Sequence, residues 1–265
     1  MSVHERVQSL FHIVVRGSAL LAIGTIAPVR AAGVSVTNYG HSALLIRGGG
    51  QSVMVNPFRA VGCTKGLAEP RVNATVTLAS SELPDEGARI GGGTYLAKPG
   101  SYRVGGLKIE GFAAPHDRVG GRRFGQATVW RWQQAGLSFA HLGGTAATLS
   151  GEDKVLLGRP DVLIIGVGGG GKVYNAVEAA EVVRELNPRR VIPVQYVNGE
   201  APSGCDLGGV QPFLDAMSGT KVRKVGPNLN LPGTLGDNPV NEVELTRLTF
   251  GDELGPGDLD RAVAF

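Results

Sequence analysis

The stretch that decides the fold is DVLIIGVGGGGKVYNAVEAAEVVRELNPRRVIPVQY, residues 161–196. Val162 to Ile165 is apolar at every position, as in a strand buried on both faces. A glycine run follows, Gly166 to Gly171, ending at Lys172. Asn175 then supplies an N-cap and Glu178, three residues on, the partner of a capping box. Ala176, Val177, Ala180, Val183 and Leu186 make the apolar stripe of a helix that Pro188 closes. Val191 to Val194 is the next strand. Strand, helix and strand in close succession place the chain in the α/β class.

Working outward, short β-branched runs separated by turn residues predict further strands. These are Val34–Asn38, Ala43–Arg47, Ser52–Asn56, Thr75–Ala79, Thr94–Ala97, Leu107–Ala113, Ala127–Gln133 and Leu137–His141. The triple-glycine turn Gly48–Gly50 joins two of them as a hairpin with a longer loop. Trp130 and Trp132 alternate on one strand and so share a face, as core or sheet cover. Val210–Met217 reads as a short helix and Val243–Phe250 as a last strand. With no linker in between, residues 33–250 form one domain, followed by a loose, acidic tail at 251–265.

The 265 residues include 41 glycines, about twice the ~7% of an average protein. Charged residues are 18% and hydrophobic ones 42%, which excludes a disordered chain. A net charge of +3 is too small for a nucleic-acid-binding surface. Residues 1–32 read as a secretory signal, with Arg6 and Arg16 ahead of an apolar run from Gly17 to Val29 and small residues near Ala31. Thirteen apolar residues fall short of the ~20 that cross a bilayer, so no stable span remains after cleavage. The expected destination is an exported compartment, periplasm or thylakoid lumen. Cys63 and Cys205 lack metal-site spacing, and an exported pair is suited to one disulfide or to two separate thiols.

Two loops invite a ligand. Gly166 to Lys172 satisfies both dinucleotide and phosphate-loop spacings, with Gly168 and Gly169 at its centre, but Val173 stands where a magnesium-binding hydroxyl belongs. The helix cap also lies beyond the lysine. Nucleotide binding is therefore the minor alternative to a glycine-lined cleft lip. Arg118, Arg122 and Arg123 surround Gly120 and Gly121 just after His116 and Asp117, as an anion-binding loop or as a surface loop tied by salt bridges.

Several of these segments, in their order, resemble the metallo-β-lactamase superfamily. They are Tyr39-Gly40-His41-Ser42, Asn56-Pro57-Phe58, Ala114-Pro115-His116, His141-Leu142-Gly143-Gly144-Thr145, the run from Asp161 to Gly169, and Ile192-Pro193-Val194-Gln195-Tyr196. The nearest branch is similar to the L-ascorbate 6-phosphate lactonases, and local detail resembles an exported cyanobacterial group. The resemblance implies a four-layer αββα sandwich with a dinuclear zinc site at one sheet edge. Carried over residue by residue, the ligand positions hold Ser80, Glu82, Pro84, Asp85, His116, Gly144 and Gln195. His41 and His141 match positions that are not ligands, and Asn56 replaces the usual aspartate. Of the carried-over residues only Glu82, Asp85 and His116 can ligate zinc.

The expectation is therefore a pseudoenzyme with no cofactor, binding a small anion or a protein partner. The alternative is a lactone or phosphodiester hydrolase with a weakly held single metal or none, using His116 and Asp117, with Ser80 or Ser81 as nucleophile. The resemblance also places the loops carrying Cys63 and Cys205 at the same edge, which would make them a bridged pair.

Overall fold

Two mixed β-sheets stack face to face in the computed structural model, which describes residues 33–236 and 242–246. The expected signal segment and the 251–265 tail lie outside the described residues. The first sheet has six strands: β1 (Val34–Asn38), β2 (Leu44–Gly48), β3 (Gln51–Val55), β4 (Val76–Leu78), β5 (Thr94–Leu96) and β13 (Asn228–Leu231), in the order β13-β1-β2-β3-β4-β5. The second has eight: β6 (Gly100–Val104), β7 (Leu107–Pro115), β8 (Gln126–Gln134), β9 (Leu137–Leu142), β10 (Val162–Gly166), β11 (Arg190–Val194), β12 (Val222–Val225) and β14 (Glu242–Thr246). Its order is β12-β14-β11-β10-β9-β8-β7-β6.

Gly49 and Gly50 form the two-residue loop between β2 and β3. Both have positive φ, +60° and +71°, the conformation a tight hairpin turn of matching twist requires. In the second sheet β9, β10 and β11 run parallel at its centre. The crossover between β10 and β11 contains α2 (Ala176–Leu186). Asn175 Oδ1 accepts from the N–H groups of Val177 and Glu178, and Glu178 Oε2 accepts from Asn175 N–H. Such a cap stabilises a helix by about 1 kcal/mol. The buried face differs from the expected stripe: Ala179, Ala180, Val182, Val183 and Leu186 are covered, whereas Val177 is 60% exposed.

The main core lies between the sheets. Val36, Leu44, Ile46, Val53 and Leu78 face Ile109, Trp130, Trp132, Phe139, Ile164 and Ile192. Trp130 and Trp132 share this face as expected; Trp132 stacks on Phe139 with centroids 4.9 Å apart. Trp130 Nε1 donates to the Ala79 carbonyl at 3.0 Å. A second core lies between the eight-stranded sheet and the helices α2 and α3 (Gln211–Ala216), around Leu163, Ile165, Val183 and Phe213. The outer face of the other sheet is thinner: Leu45, Met54 and Phe58 are covered by Tyr39, Leu67, Val72 and Ile90 from loops. The short helix α1 (Gly151–Leu157) and strands β6, β12 and β13 were not expected from the sequence.

Candidate functional site

The strand ends converge at one edge of the sandwich. His41, Asn56 and Gln195 each sit there in left-handed backbone conformation, with φ of +53°, +42° and +51°. Non-glycine residues adopt this region at a cost, and such strain gathers at functional edges. The segments are tied together at this edge. Gln195 N–H donates to the His41 carbonyl at 2.9 Å, and Ser80 N–H donates to Asn56 Oδ1 at 2.8 Å.

At the centre stands an ion pair that was not foreseen. Glu86 Oε1 lies 2.8 Å from His116 Nε2, and both side chains are fully buried. The approach is off the axis of a ring N–H, so the contact is ionic more than a directed hydrogen bond. Ser81 Oγ donates to Glu86 Oε1 at 2.6 Å, and Gln195 Nε2 to Glu86 Oε2 at 3.3 Å. Burial raises the Glu86 carboxyl. The contact with His116, the charge of Lys172 and the Ser81 hydroxyl outweigh it and hold the group at about 2. On the other side of the imidazole, Nδ1 faces the Phe124 carbonyl oxygen at 3.3 Å.

Of the carboxylates expected near His116, neither reaches it. Glu82 is on the surface, paired with Lys98 at 3.0 Å and Arg89 at 3.3 Å. Asp85 is bonded to Lys172 at 2.7 Å. Pro84 is exposed and contributes its carbonyl to Arg59 N–H. Gly144 has φ of +77°, and a Cβ there would lie 2.8 Å from Glu86 Oε2 and 2.9 Å from Ser80 Cβ. The Glu86 carboxylate thus occupies the space that a side chain at 144 would need. Gln195 Oε1 accepts from Gly144 N–H at 3.2 Å. Ser80 is buried with its hydroxyl unpartnered, and Ser81 is committed to Glu86.

Asp117 belongs to a different task from the acid or base foreseen for it. Its Oδ1 accepts from the N–H groups of Val119 and Gly121, and its Oδ2 from those of Arg123 and Phe124. Burial raises its carboxyl, but these four donors prevail and hold it below the usual range. It organises the 117–124 loop. The loop's arginines are spent on structure as well. Arg118 pairs with Glu178 and donates to the carbonyls of Gly170 and Val173. Arg122 donates to Val119 O, and Arg123 lies 4.7 Å above the Phe124 ring. None of these bonds reaches the Glu86–His116 pair.

The glycine run is likewise closed to phosphate. The N–H groups of Val167, Gly168 and Gly169 donate to the carbonyls of Val194, Gln195 and Tyr174. Gly171 N–H donates to Asp206 Oδ2 at 2.8 Å. With Lys172 held by Asp85, four of the run's N–H groups and its lysine are committed to the protein's own acceptors, which weighs against the nucleotide reading.

His41 and His141 are the other two histidines of the site. Burial lowers both to about 4, against the pull of Glu86 on each and of Asp85 on His41. His141 is fully buried, and neither ring nitrogen has a hydrogen-bond partner. Above the edge, Cys63 and Cys205 are joined in a disulfide with Cα atoms 4.7 Å apart. Cys63 lines a small cleft with His41, Leu67, Tyr196 and Leu207.

The zinc implied by the sequence resemblance does not fit these donors. Among the described residues, no group of three His, Cys, Asp or Glu side chains is placed to hold a metal ion. The imidazole nitrogen that could ligate faces a carboxylate instead, and zinc needs about four convergent N, S or O donors.

Comparison with known proteins agrees on the architecture. The family described as "Beta-lactamase superfamily domain" matches residues 35–195. A Zn-dependent hydrolase-like protein of the metallo-β-lactamase superfamily from Thermotoga maritima is 24% identical, with a TM-score of 0.65 over 81% of this chain and 100% of its own. A metallo hydrolase from Ignicoccus hospitalis is 17% identical, with a TM-score of 0.56 over 77% of this chain and 100% of its own. A diiron β-hydroxylase from Streptomyces venezuelae is 14% identical, with a TM-score of 0.52 over 76% of this chain and 54% of its own. No functionally curated protein shows significant similarity. The likenesses at these identities concern fold, and one fold hosts several chemistries.

Proposed function

We propose that this protein, which belongs to the metallo-β-lactamase superfamily, is a non-hydrolytic member that works by binding. In this reading the place of the superfamily's metal is taken by a metal-free, ion-paired core. The observation that carries it is the Glu86–His116 pair, in which a buried carboxylate sits against the one histidine retained at a ligand position. The small cleft at the same sheet edge, lined by His41, Tyr196 and Leu207 and bordered by the Cys63 bridge, is the candidate seat for a small ligand or a partner's loop. Kinship with the lactonase-like branch and with exported cyanobacterial proteins belongs to the same reading. It is supported by the Asn56-Pro57-Phe58-Arg59 and Gly62-Cys63-Thr64-Lys65 segments. A disulfide is compatible with the periplasm or thylakoid lumen.

The alternative, a metal-free hydrolase built on His116 and a serine, has less support. Ser81 is bonded to Glu86, and Ser80 and His116 are both sealed from solvent. The test is a panel of lactones and phosphodiesters incubated with the purified protein, with and without added zinc or manganese. Turnover indistinguishable from that of His116→Ala is the expected result. Turnover that needs His116 and responds to metal would return the protein to the hydrolases.

A further inference from the structure

Away from the sheet edge, on the loop layer covering the six-stranded sheet, lies an open hollow of about 310 Å³ that the reading above does not use. Segments 70–73 and 89–91 form its walls. Arg59, Arg71 and Arg89 line it, and no acidic side chain does. Two of the three guanidiniums are positioned in advance. Arg59 Nη1 is bonded to Glu69 at 2.8 Å, and its Nη2 donates to the Arg89 carbonyl at 3.4 Å. Arg89 lies 4.0 Å above the Tyr95 ring. The walls are fixed to each other where Asn73 Oδ1 accepts from Gly92 N–H at 2.8 Å. Arg71 is exposed and has no ion-pair partner among the described residues. Glu82, which meets Arg89, is shared with Lys98. Three guanidiniums, Arg59, Arg71 and Arg89, therefore face two paired carboxylates, Glu69 and Glu82, that lie outside the lining, and the hollow carries an excess of positive charge.

We propose that this hollow is a binding site for a small, multiply charged oxyanion, a phosphomonoester or a polycarboxylate. Guanidinium matches both groups with paired N–H donors. Holding Arg59 and Arg89 before the ligand arrives reduces the ordering cost of binding. Arg71 adds a charge that no ion pair holds among the described residues, although Glu69 lies within reach of its field. Val72 and Ile90, both half-buried in the walls, offer apolar contact to the organic body of the ligand. The small-anion expectation raised by the sequence at Arg118, Arg122 and Arg123 thus finds its geometry elsewhere. The proposal is independent of whether the sheet edge holds a metal.

The experiment titrates the full protein with inorganic phosphate and, separately, with citrate. Ionic strength is held constant with sodium chloride, because exposed charges are screened by salt. Arginine side-chain Nε–Hε resonances report the position of binding. Saturable shifts at Arg71 and Arg89, with Arg122 unmoved, are expected. Arg71→Gln is expected to weaken binding by at least about tenfold, since a charge-assisted hydrogen bond carries roughly that much affinity. Arg122→Gln is expected to leave it unchanged. Arg71 is exposed, so an unaltered melting temperature would show that the variant folds. Tighter phosphate binding would identify a phosphorylated ligand, and tighter citrate binding a carboxylated one. Shifts that do not saturate, that persist in Arg71→Gln, or that centre on Arg122 and Arg123 would overturn the proposal.

Discussion

Glu86 Oε1 and His116 Nε2 lie 2.8 Å apart, and neither side chain reaches solvent. A buried ion pair adds little beyond an apolar pair of the same volume, but removing one member strands the other charge. Glu86→Ala should therefore lower unfolding stability by ~3–5 kcal/mol. Glu86→Gln, which keeps the shape and an acceptor for Ser81, should cost less. Replacing both, Glu86→Ala with His116→Leu, should cost less than the sum of the single changes. Urea denaturation of the wild type, these three variants and His116→Leu alone measures this. Additive losses would show that the two groups are not coupled.

At Gly144 the backbone is left-handed, and a Cβ would press on the Glu86 carboxylate. Gly144→Asp, which restores the side chain expected of a metal-binding relative, should destabilise the fold by at least ~1–3 kcal/mol through strain. It should not create tight zinc binding. Combined with Glu86→Ala, it should cost less than the sum of the two changes, because the clash with the Glu86 carboxylate is removed while that with Ser80 Cβ and the left-handed backbone remain. Melting curves of the single and double variants decide the point.

His141 makes stability pH-dependent. Unfolded, its imidazole takes up a proton near 6.5. Folded, burial lowers that to about 4, despite the pull of Glu86. The unfolded chain therefore binds more protons between these values. The stability His141 contributes is complete above pH 6.5 and is lost as pH falls toward 4. His41, lowered in the same way, loses stability over the same range. Below pH 4.5 a further loss follows as Glu86 approaches protonation near 2. His141→Leu should flatten the upper part of this profile. At pH 7 it should be neutral or stabilising, because neither ring nitrogen has a partner to lose. Denaturant midpoints between pH 7 and pH 4 provide the check.

The Cys63–Cys205 bridge spans a sequence separation of 142 residues and ties together two loops that approach each other at the cleft. Closing so long a loop restricts the unfolded chain by up to about 5 kcal/mol on the chain-entropy model. Dithiothreitol, or Cys63→Ser with Cys205→Ser, should lower the unfolding midpoint substantially. The two-sheet core contains neither residue and should persist, with an unchanged far-ultraviolet spectrum.

The periodic elements were legible in the sequence. The Asn175 cap, the glycine hairpin between β2 and β3, though its loop is the two residues Gly49–Gly50 and not the longer one expected, and the buried faces of Trp130 and Trp132 follow from local patterns that the structure keeps. Short exposed strands such as β6, with Gly100, Ser101 and Arg103 all exposed, carry no such pattern. The site was half legible. His116, just past the end of β7, was found because the family resemblance put it at a ligand position, but Glu86 was not. It falls in Ser81-Glu82-Leu83-Pro84-Asp85-Glu86, a run of bends and turns in which three acids fall within five residues and no period distinguishes inward from outward. Only the folded loop places Glu82 on Lys98, Asp85 on Lys172 and Glu86 on His116. The Asp117 carboxylate was misread for a similar reason. Sequence proximity to His116 cannot reveal that four backbone N–H groups curl around it.

The metal content of the purified protein is the most direct test of a metal-free core. The protein would be expressed with zinc, manganese and iron available, desalted without chelator, and measured by elemental analysis per mole of chain. Well under one equivalent of any transition metal is expected, with the same melting temperature before and after treatment with a chelator. One or more equivalents of tightly held zinc, whose removal lowers the melting temperature and abolishes hydrolysis, would contradict it and require the Glu86–His116 pair to open around the ion.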